Sequence, residues 1–130
     1  MYEYAIKEVV KVVDGDTIDV VIDLGFDLTK KERIRLAGID TPESRTRDLE
    51  EKAMWLEAKE HLKHKIESSE NLRVKTEKDG KYGRMLGWLY DGESNINKEM
   101  VTNGYAWEYD GGTKIKSLEA LKAIREKEAT

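Results

Sequence analysis

Residues 14–24 read Asp14-Gly15-Asp16-Thr17-Ile18-Asp19-Val20-Val21-Ile22-Asp23-Leu24. Ile18, Val20, Ile22 and Leu24 fall on one side of a two-residue period, with Thr17, Asp19, Val21 and Asp23 on the other. That is the pattern of a half-buried strand with one wet face. Asp14-Gly15 ahead of it tolerates the positive φ of a tight hairpin, so residues 4–13 are expected to form the first arm. A third strand is expected over 33–39, with Ile34, Leu36 and Gly38 on one face and Arg33, Arg35, Ala37 and Ile39 on the other. Residues 72–77 and 82–90 read as a second hairpin across Asp79-Gly80.

Helical signals lie between and after these strands. Residues 48–68 are rich in Glu, Lys, Ala and Leu, with Trp55, Ala58, Leu62 and Ile66 at helical spacing. Asn97 reads as the N-cap of a short helix ending at Asn103-Gly104. Residues 116–127 are amphipathic through Leu118, Leu121 and Ile124. Three strands, a helix, two strands and then helices is the order of an α+β chain with a mainly β core: a five-stranded OB-type barrel with about three helices. A β-sandwich would need more strands. With 130 residues and no repeat or linker, residues 1–130 are read as a single domain.

Composition excludes several chemistries. There is no cysteine, so disulfides, thiolate catalysis and Cys-ligated zinc are ruled out. No run approaches ~20 apolar residues, so no membrane-spanning helix is expected. The opening residues are broken by Glu3, Lys7, Glu8 and Lys11 and make a poor secretory leader. If Met1 is the native start, the expectation is a cytoplasmic protein. The net charge of −4 argues against bulk electrostatic coating of nucleic acid. Its distribution is uneven. Residues 30–47 and residues 73–84 each carry +3, leaving −10 on the remainder. Such a chain can receive a phosphate at a defined site while its surface stays acidic; solvated basic faces are the plainer alternative.

The single proline, Pro42, marks that site. Average usage of about 5% would give six or seven. Pro42 fixes its own φ and holds Thr41 extended, so Asp40 and Glu43 bracket a rigid corner. Carboxylates this close repel unless a cation is near. Asp16 is a third, although an Asp-Gly-Asp by itself reads equally as a turn. Oxygen donors without His or Cys suit a hard cation, Ca²⁺ more than Zn²⁺. Arginines in both basic windows could grip a phosphate through their planar, two-pronged donors.

The segments DGDT (14–17), RIRLAGIDTPE (33–43), DGKYGRMLGWLY (79–90) and NGYAW (103–107) together resemble the staphylococcal-type (thermonuclease) family of OB-fold nucleases. The resemblance covers about three quarters of the chain, in matching order and spacing. It implies a Ca²⁺ site formed by Asp16, Asp40 and the carbonyl of Thr41. It also implies water activation by Glu43, a phosphate grip by Arg35 and Arg84, and terminal-phosphate contacts from Lys81 and Tyr82. As bare residues, Lys81 and Tyr82 read equally as hairpin surface.

Tyr109 is a candidate for stacking on a base. However, Tyr105, Trp107 and Tyr109 alternate after Gly104, and two of the three read as packing. Lys30 and Lys31 are placed in a loop before the third strand. His61 and His64, amid lysines, read as a solvated helix face and not as a zinc pair. The resemblance weakens after Tyr109, where Asp110-Gly111-Gly112 stands in place of an aromatic that often contacts substrate in the family. The expected function is calcium-dependent hydrolysis of phosphodiesters in DNA or RNA by a monomer, single strands favoured. A catalytically weak OB-fold module that only binds nucleic acid is the alternative.

Overall fold

The computed structural model describes residues 2–79, 85–109 and 117–129. β1 (Tyr2–Asp14) and β2 (Thr17–Gly25) form the first hairpin, closing at Asp14↔Thr17. β3 (Leu28–Leu36) continues the meander. After helix α1 (Leu49–Glu67), β5 (Leu72–Asp79) and β6 (Met85–Asp91) pair with each other, and β5 also pairs with the start of β1. A parallel pairing of β3 with β6, from Ile34↔Met85 to Leu36↔Gly87, closes the ring β3-β2-β1-β5-β6. The result is the expected five-stranded barrel with three helices. Three register shifts along β1 let one long strand bend from β2 toward β5, as bulges sharpen local twist and curvature.

The alternation in β2 behaves as expected up to Ile22: Ile18, Val20 and Ile22 are buried. Leu24 departs from the pattern and is exposed, because the hairpin runs on past the core. β3 begins at Leu28, five residues before the expected start at Arg33. Phe26 and Asp27 make a tight turn at positive φ, a conformation their sequence does not advertise. Lys30 and Lys31 therefore lie in a strand, opposite Ile22 and Val21, and not in a loop. At its other end the expected strand is broken. Gly38 takes φ +75°, and β4 (Ile39–Asp40) starts in a new direction, paired with β8 (Trp107–Glu108). A Cβ at Gly38 would lie 2.5 Å from Cη2 of Trp88, so both backbone angle and space demand glycine there.

α1 starts where the sequence indicates. Asp48 caps it, accepting from the backbone N–H groups of Glu50 (2.9 Å) and Glu51 (3.4 Å). Its buried stripe is Met54, Ala58, Leu62 and Ile66, so Met54 takes the place expected of Trp55. α3 (Leu118–Ala129) buries Leu121, with the Ser117 hydroxyl accepting from the N–H of Ala120.

The cap of α2 (Ile96–Thr102) differs from expectation. Asn95, preceded by Ser94 in the two-residue strand β7 (Ser94–Asn95), accepts from the N–H of Lys98, so the helix begins earlier than the reading placed it. Asn97 is instead fully buried and ties the residue after β3 to β6. Its carbonyl accepts from Leu89 N–H (3.0 Å), while its amide donates to the carbonyls of Ala37 (2.8 Å) and Gly87 (3.1 Å). The segment around Gly38 breaks away from the sheet, and its backbone needs a substitute partner; Asn97 supplies it. Replacing Asn97 with Ala should destabilise the protein by roughly 3 kcal/mol, since buried polar groups left unsatisfied cost ~1–3 kcal/mol each. Urea unfolding would measure this, and a loss under 1 kcal/mol would show that water replaces the amide.

Candidate active site

A cleft of about 500 Å³ opens where the β1–β2 turn, the end of β3 and the segment after β4 meet. Asp16, Arg35, Asp40, Thr41 and Glu43 all line it. The sheet itself sets this convergence. Arg35 lies opposite Thr17 in β2 and opposite Leu86 in β6, so its backbone is held on both edges. The carbonyl of Asp16 accepts from Leu36 N–H at 2.7 Å, tying the turn to the end of β3. Gly15 allows close approach of α1: a Cβ there would sit 2.9 Å from the Cβ of Ala58.

One guanidinium nitrogen, Nη2 of Arg35, stands 3.4 Å from Asp16 Oδ2 and 3.7 Å from Asp40 Oδ1. The other terminal nitrogen donates to the carbonyl of Leu36 at 2.8 Å, which fixes the side chain's direction. Thr17 Oγ1 donates to Asp16 Oδ1 at 2.9 Å, and Thr41 N–H donates to Asp40 Oδ1 at 2.9 Å. Thr41 and Pro42 are buried, making the corner rigid, while Glu43 is exposed at the cleft rim. Burial raises the pKa of Asp16. The Arg35 charge and the Thr17 hydroxyl act the other way, and the Asp40 carboxylate adds to the rise.

Asp16 and Asp40 thus both face the Arg35 guanidinium. Carboxylate oxygens such as theirs are hard donors, of the kind that could hold a hard cation. Among the described residues no group of three His, Cys, Asp or Glu is clustered as a cage. A cation here would thus complete its shell with water and substrate oxygens.

Sequence reasoning missed Trp55 and Arg45 in this cleft. Trp55 donates its indole N–H to Asp14 Oδ1 at 2.6 Å, forming one wall. Arg45 lines the cleft beside Glu43 and belongs to the basic window at 30–47, the signal that could have found it. Arg84, Lys81 and Tyr82 lie outside the described residues. Tyr109 is not with the others; it lines a separate cavity on the far side of β4. Of its two aromatic neighbours, Tyr105 is sandwiched between His61 and Arg125, each 4.0 Å away, and Trp107 donates to the Ser117 carbonyl. His61 is packed there with its pKa pushed down to about 4, mainly by burial and then by Lys65.

The family model described as "Staphylococcal nuclease homologue" matches residues 33–130. The chain belongs to the staphylococcal nuclease family. Among its relatives are a "Micrococcal nuclease" of Shigella flexneri, 35% identical over 111 residues, covering 78% of this chain and 57% of the relative. An "Uncharacterized endonuclease" of Escherichia coli O157:H7 is 35% identical over 103 residues, covering 78% and 60%. The "Thermonuclease" of Staphylococcus hyicus is 30% identical over 101 residues, covering 76% and 56%. This member of the staphylococcal nuclease family thus spans less than two thirds of the length of each of these relatives. No helix among its described residues is long and apolar enough to cross a membrane.

The raised pKa of Asp16 has a signed consequence. A carboxyl that holds its proton more tightly when folded stabilises the fold below the ordinary value of 3.8, and this is lost as pH rises through the folded pKa. In metal-free buffer, Asp16→Asn should therefore melt higher than the parent protein at pH 7. The advantage should shrink as pH falls toward 3.8. Calorimetry across that range tests it; a variant less stable at pH 7 would mean that the Arg35 pairing outweighs burial.

Proposed function

We propose that the chain is a calcium-dependent nuclease that hydrolyses phosphodiester bonds of DNA or RNA. The observation that carries this reading is the meeting of Asp16, Arg35, Asp40, Thr41 and Glu43 in one cleft of a barrel from this family. A phosphodiester is already negative, so attack by water needs charge neutralisation, an activated nucleophile and alignment. Asp16, Asp40 and the Thr41 carbonyl would hold Ca²⁺, which supplies neutralisation of the phosphate when bound. Arg35 grips a non-bridging phosphate oxygen through its planar fork, and Arg84, from the second basic window, grips the other side. Glu43, at the solvent edge, accepts the proton of the attacking water, a contribution of typically 10²–10⁴-fold.

The acidic remainder of the chain makes opening a duplex unfavourable. Taking a nucleotide out of a paired stack costs a few kcal/mol, and only two modest basic windows offset it. Single-stranded or frayed nucleic acid is accordingly the proposed substrate, with weak sequence preference.

Matched single- and double-stranded oligonucleotides, incubated with millimolar Ca²⁺ or with chelator, test the reading directly. Cleavage should need Ca²⁺, should be faster on the single strand, and should fall with a shallow slope as salt rises. Activity that survives chelation would sink the metal assignment, and a preference for intact duplex would sink the substrate assignment.

The arginine assignments have their own test. Arg35→Ala and Arg84→Ala should each lower kcat by ~10²-fold or more, by analogy with loss of an oxyanion donor. Lysine should rescue little, because a point charge cannot reproduce the fork. If KM rises while kcat holds, these residues anchor substrate without stabilising the transition state.

A further inference from the structure

We propose that the outer face of the β2–β3 hairpin is a surface on which two copies of this chain pair about a two-fold axis, Phe26 of each copy seating in a hollow on the other. Phe26 stands at the apex of the hairpin, 99% exposed and at φ +54°. That left-handed angle is costly for a bulky side chain, and the phenyl ring gains no burial within its own chain in return. Leu24 and Leu28 beside it are exposed as well, so the apex is a small apolar knob. The matching hollow lies on the same hairpin. It measures about 240 Å³ and is lined by Val10, Asp19, Lys31, Glu32 and Arg33 among others, with Val10 54% exposed. A cavity of about 150 Å³ already admits benzene, so a phenyl ring fits.

Charge selects the partner. Asp23 and Asp27 flank Phe26, so a phosphate-bearing surface, whether nucleic acid or anionic lipid, is repelled at the apex. Toward the barrel the sign reverses. Arg33 holds Asp19 at 2.8 and 3.1 Å and Lys30 holds Glu32 at 2.6 Å, which leaves Lys31 with no ion pair among the described residues. Asp27 has none among them either. Ile18, Val20 and Ile22 point into the core, so by alternation Asp19, Val21 and Asp23 share the outer face with their register partners Arg33, Lys31 and Thr29. Acid at the apex and a free lysine nearer the barrel make this face complementary to itself when two hairpins lie antiparallel. Phe26 and Lys31 are roughly 16 Å apart along the strand. An axis through the Asp23–Thr29 pair therefore carries each knob onto the other copy's hollow and each Asp27 to the other's Lys31. Such a contact closes on itself, the same patch serving both copies. The face has a footprint of roughly 300 Å², well under the ~800 Å² per partner of a standard interface, so the dimer is a weak one. None of the residues lining this hollow lines the cleft of Asp16 and Arg35.

Sedimentation velocity of the full chain, from micromolar to millimolar concentration, tests this without requiring turnover. The expected result is a monomer–dimer equilibrium with a dissociation constant of tens to hundreds of micromolar. Phe26→Asn keeps the turn, since asparagine tolerates positive φ. It should weaken association by about tenfold or more while the melting temperature holds. Asp27→Lys and Lys31→Asp should each weaken association, and the double variant should recover it, because the exchange restores opposite charges across the axis. A parent protein that stays monomeric up to millimolar concentration overturns the interface. So does a dimer that Phe26→Asn leaves unchanged, or a pair of charge variants whose combination recovers nothing. A monomer that floats with phosphatidylcholine vesicles, and no longer does so as Phe26→Asn, also overturns it and gives the apex to lipid. Because hollow and cleft share no lining residue, dimerisation can fail while calcium-dependent cleavage holds, and the reverse.

Discussion

The parallel pairing of β3 with β6 is the constraint on which the rest depends. It closes the barrel over only three residue pairs, and the middle pair contains Arg35. Because β2 pairs with the same residue from the other side, the backbone of Arg35 is hydrogen-bonded within a continuous sheet while its side chain faces the cleft. A charged group presented from a strand held on both edges keeps its position better than one carried on a loop. Ile34 and Leu36 on either side point inward and are fully buried, so a shift of one residue would exchange core for charge.

Immediately after this closure the chain turns away. Gly38 breaks the strand, Asn97 satisfies the backbone that the break exposes, and β4 redirects the chain so that Asp40 faces Arg35. The same break creates the floor against which Trp88 lies. Two neighbouring hollows thus arise from one local event, one polar with carboxylates and the other aromatic. Fold and site are not separable here: the residues that finish the barrel are those that shape the cleft.

The electrostatics follow from that geometry. Asp16 is nearly buried and carries an upward pKa pressure that Arg35 and Thr17 only partly offset. A carboxylate kept in such a place for stability alone would be a poor choice, since burial disfavours its charged form. It faces Arg35 together with Asp40, at 3.4 and 3.7 Å, so that one guanidinium lies between two carboxylates. His61 shows the contrasting case. Its pKa is displaced more plainly, yet it is simply packed between elements with Asn103 and Tyr105.

Much of this could be read from the chain itself, for reasons of period and local chemistry. The alternation of Ile18, Val20 and Ile22 and the Ala58–Leu62–Ile66 stripe are local signals, and β2 and α1 lie where those signals placed them. That Asp16, Arg35, Asp40, Thr41 and Glu43 line one cleft was legible through their resemblance to a known family. Other features depended on contacts distant in sequence. Asn97 resembles a cap until the sheet places Leu89, Ala37 and Gly87 around it. Trp55 fits the helix stripe until Asp14 draws its indole N–H out of the core. Phe26 carries no turn signal, so only the β2–β3 register reveals the turn it makes. Tyr109 was legible as an aromatic near the site, but its separation from the cleft required the β4–β8 pairing. Local periodicity determines which residues form strands and helices; which side chains share a cavity is decided by pairings between segments tens of residues apart, and no local pattern encodes those.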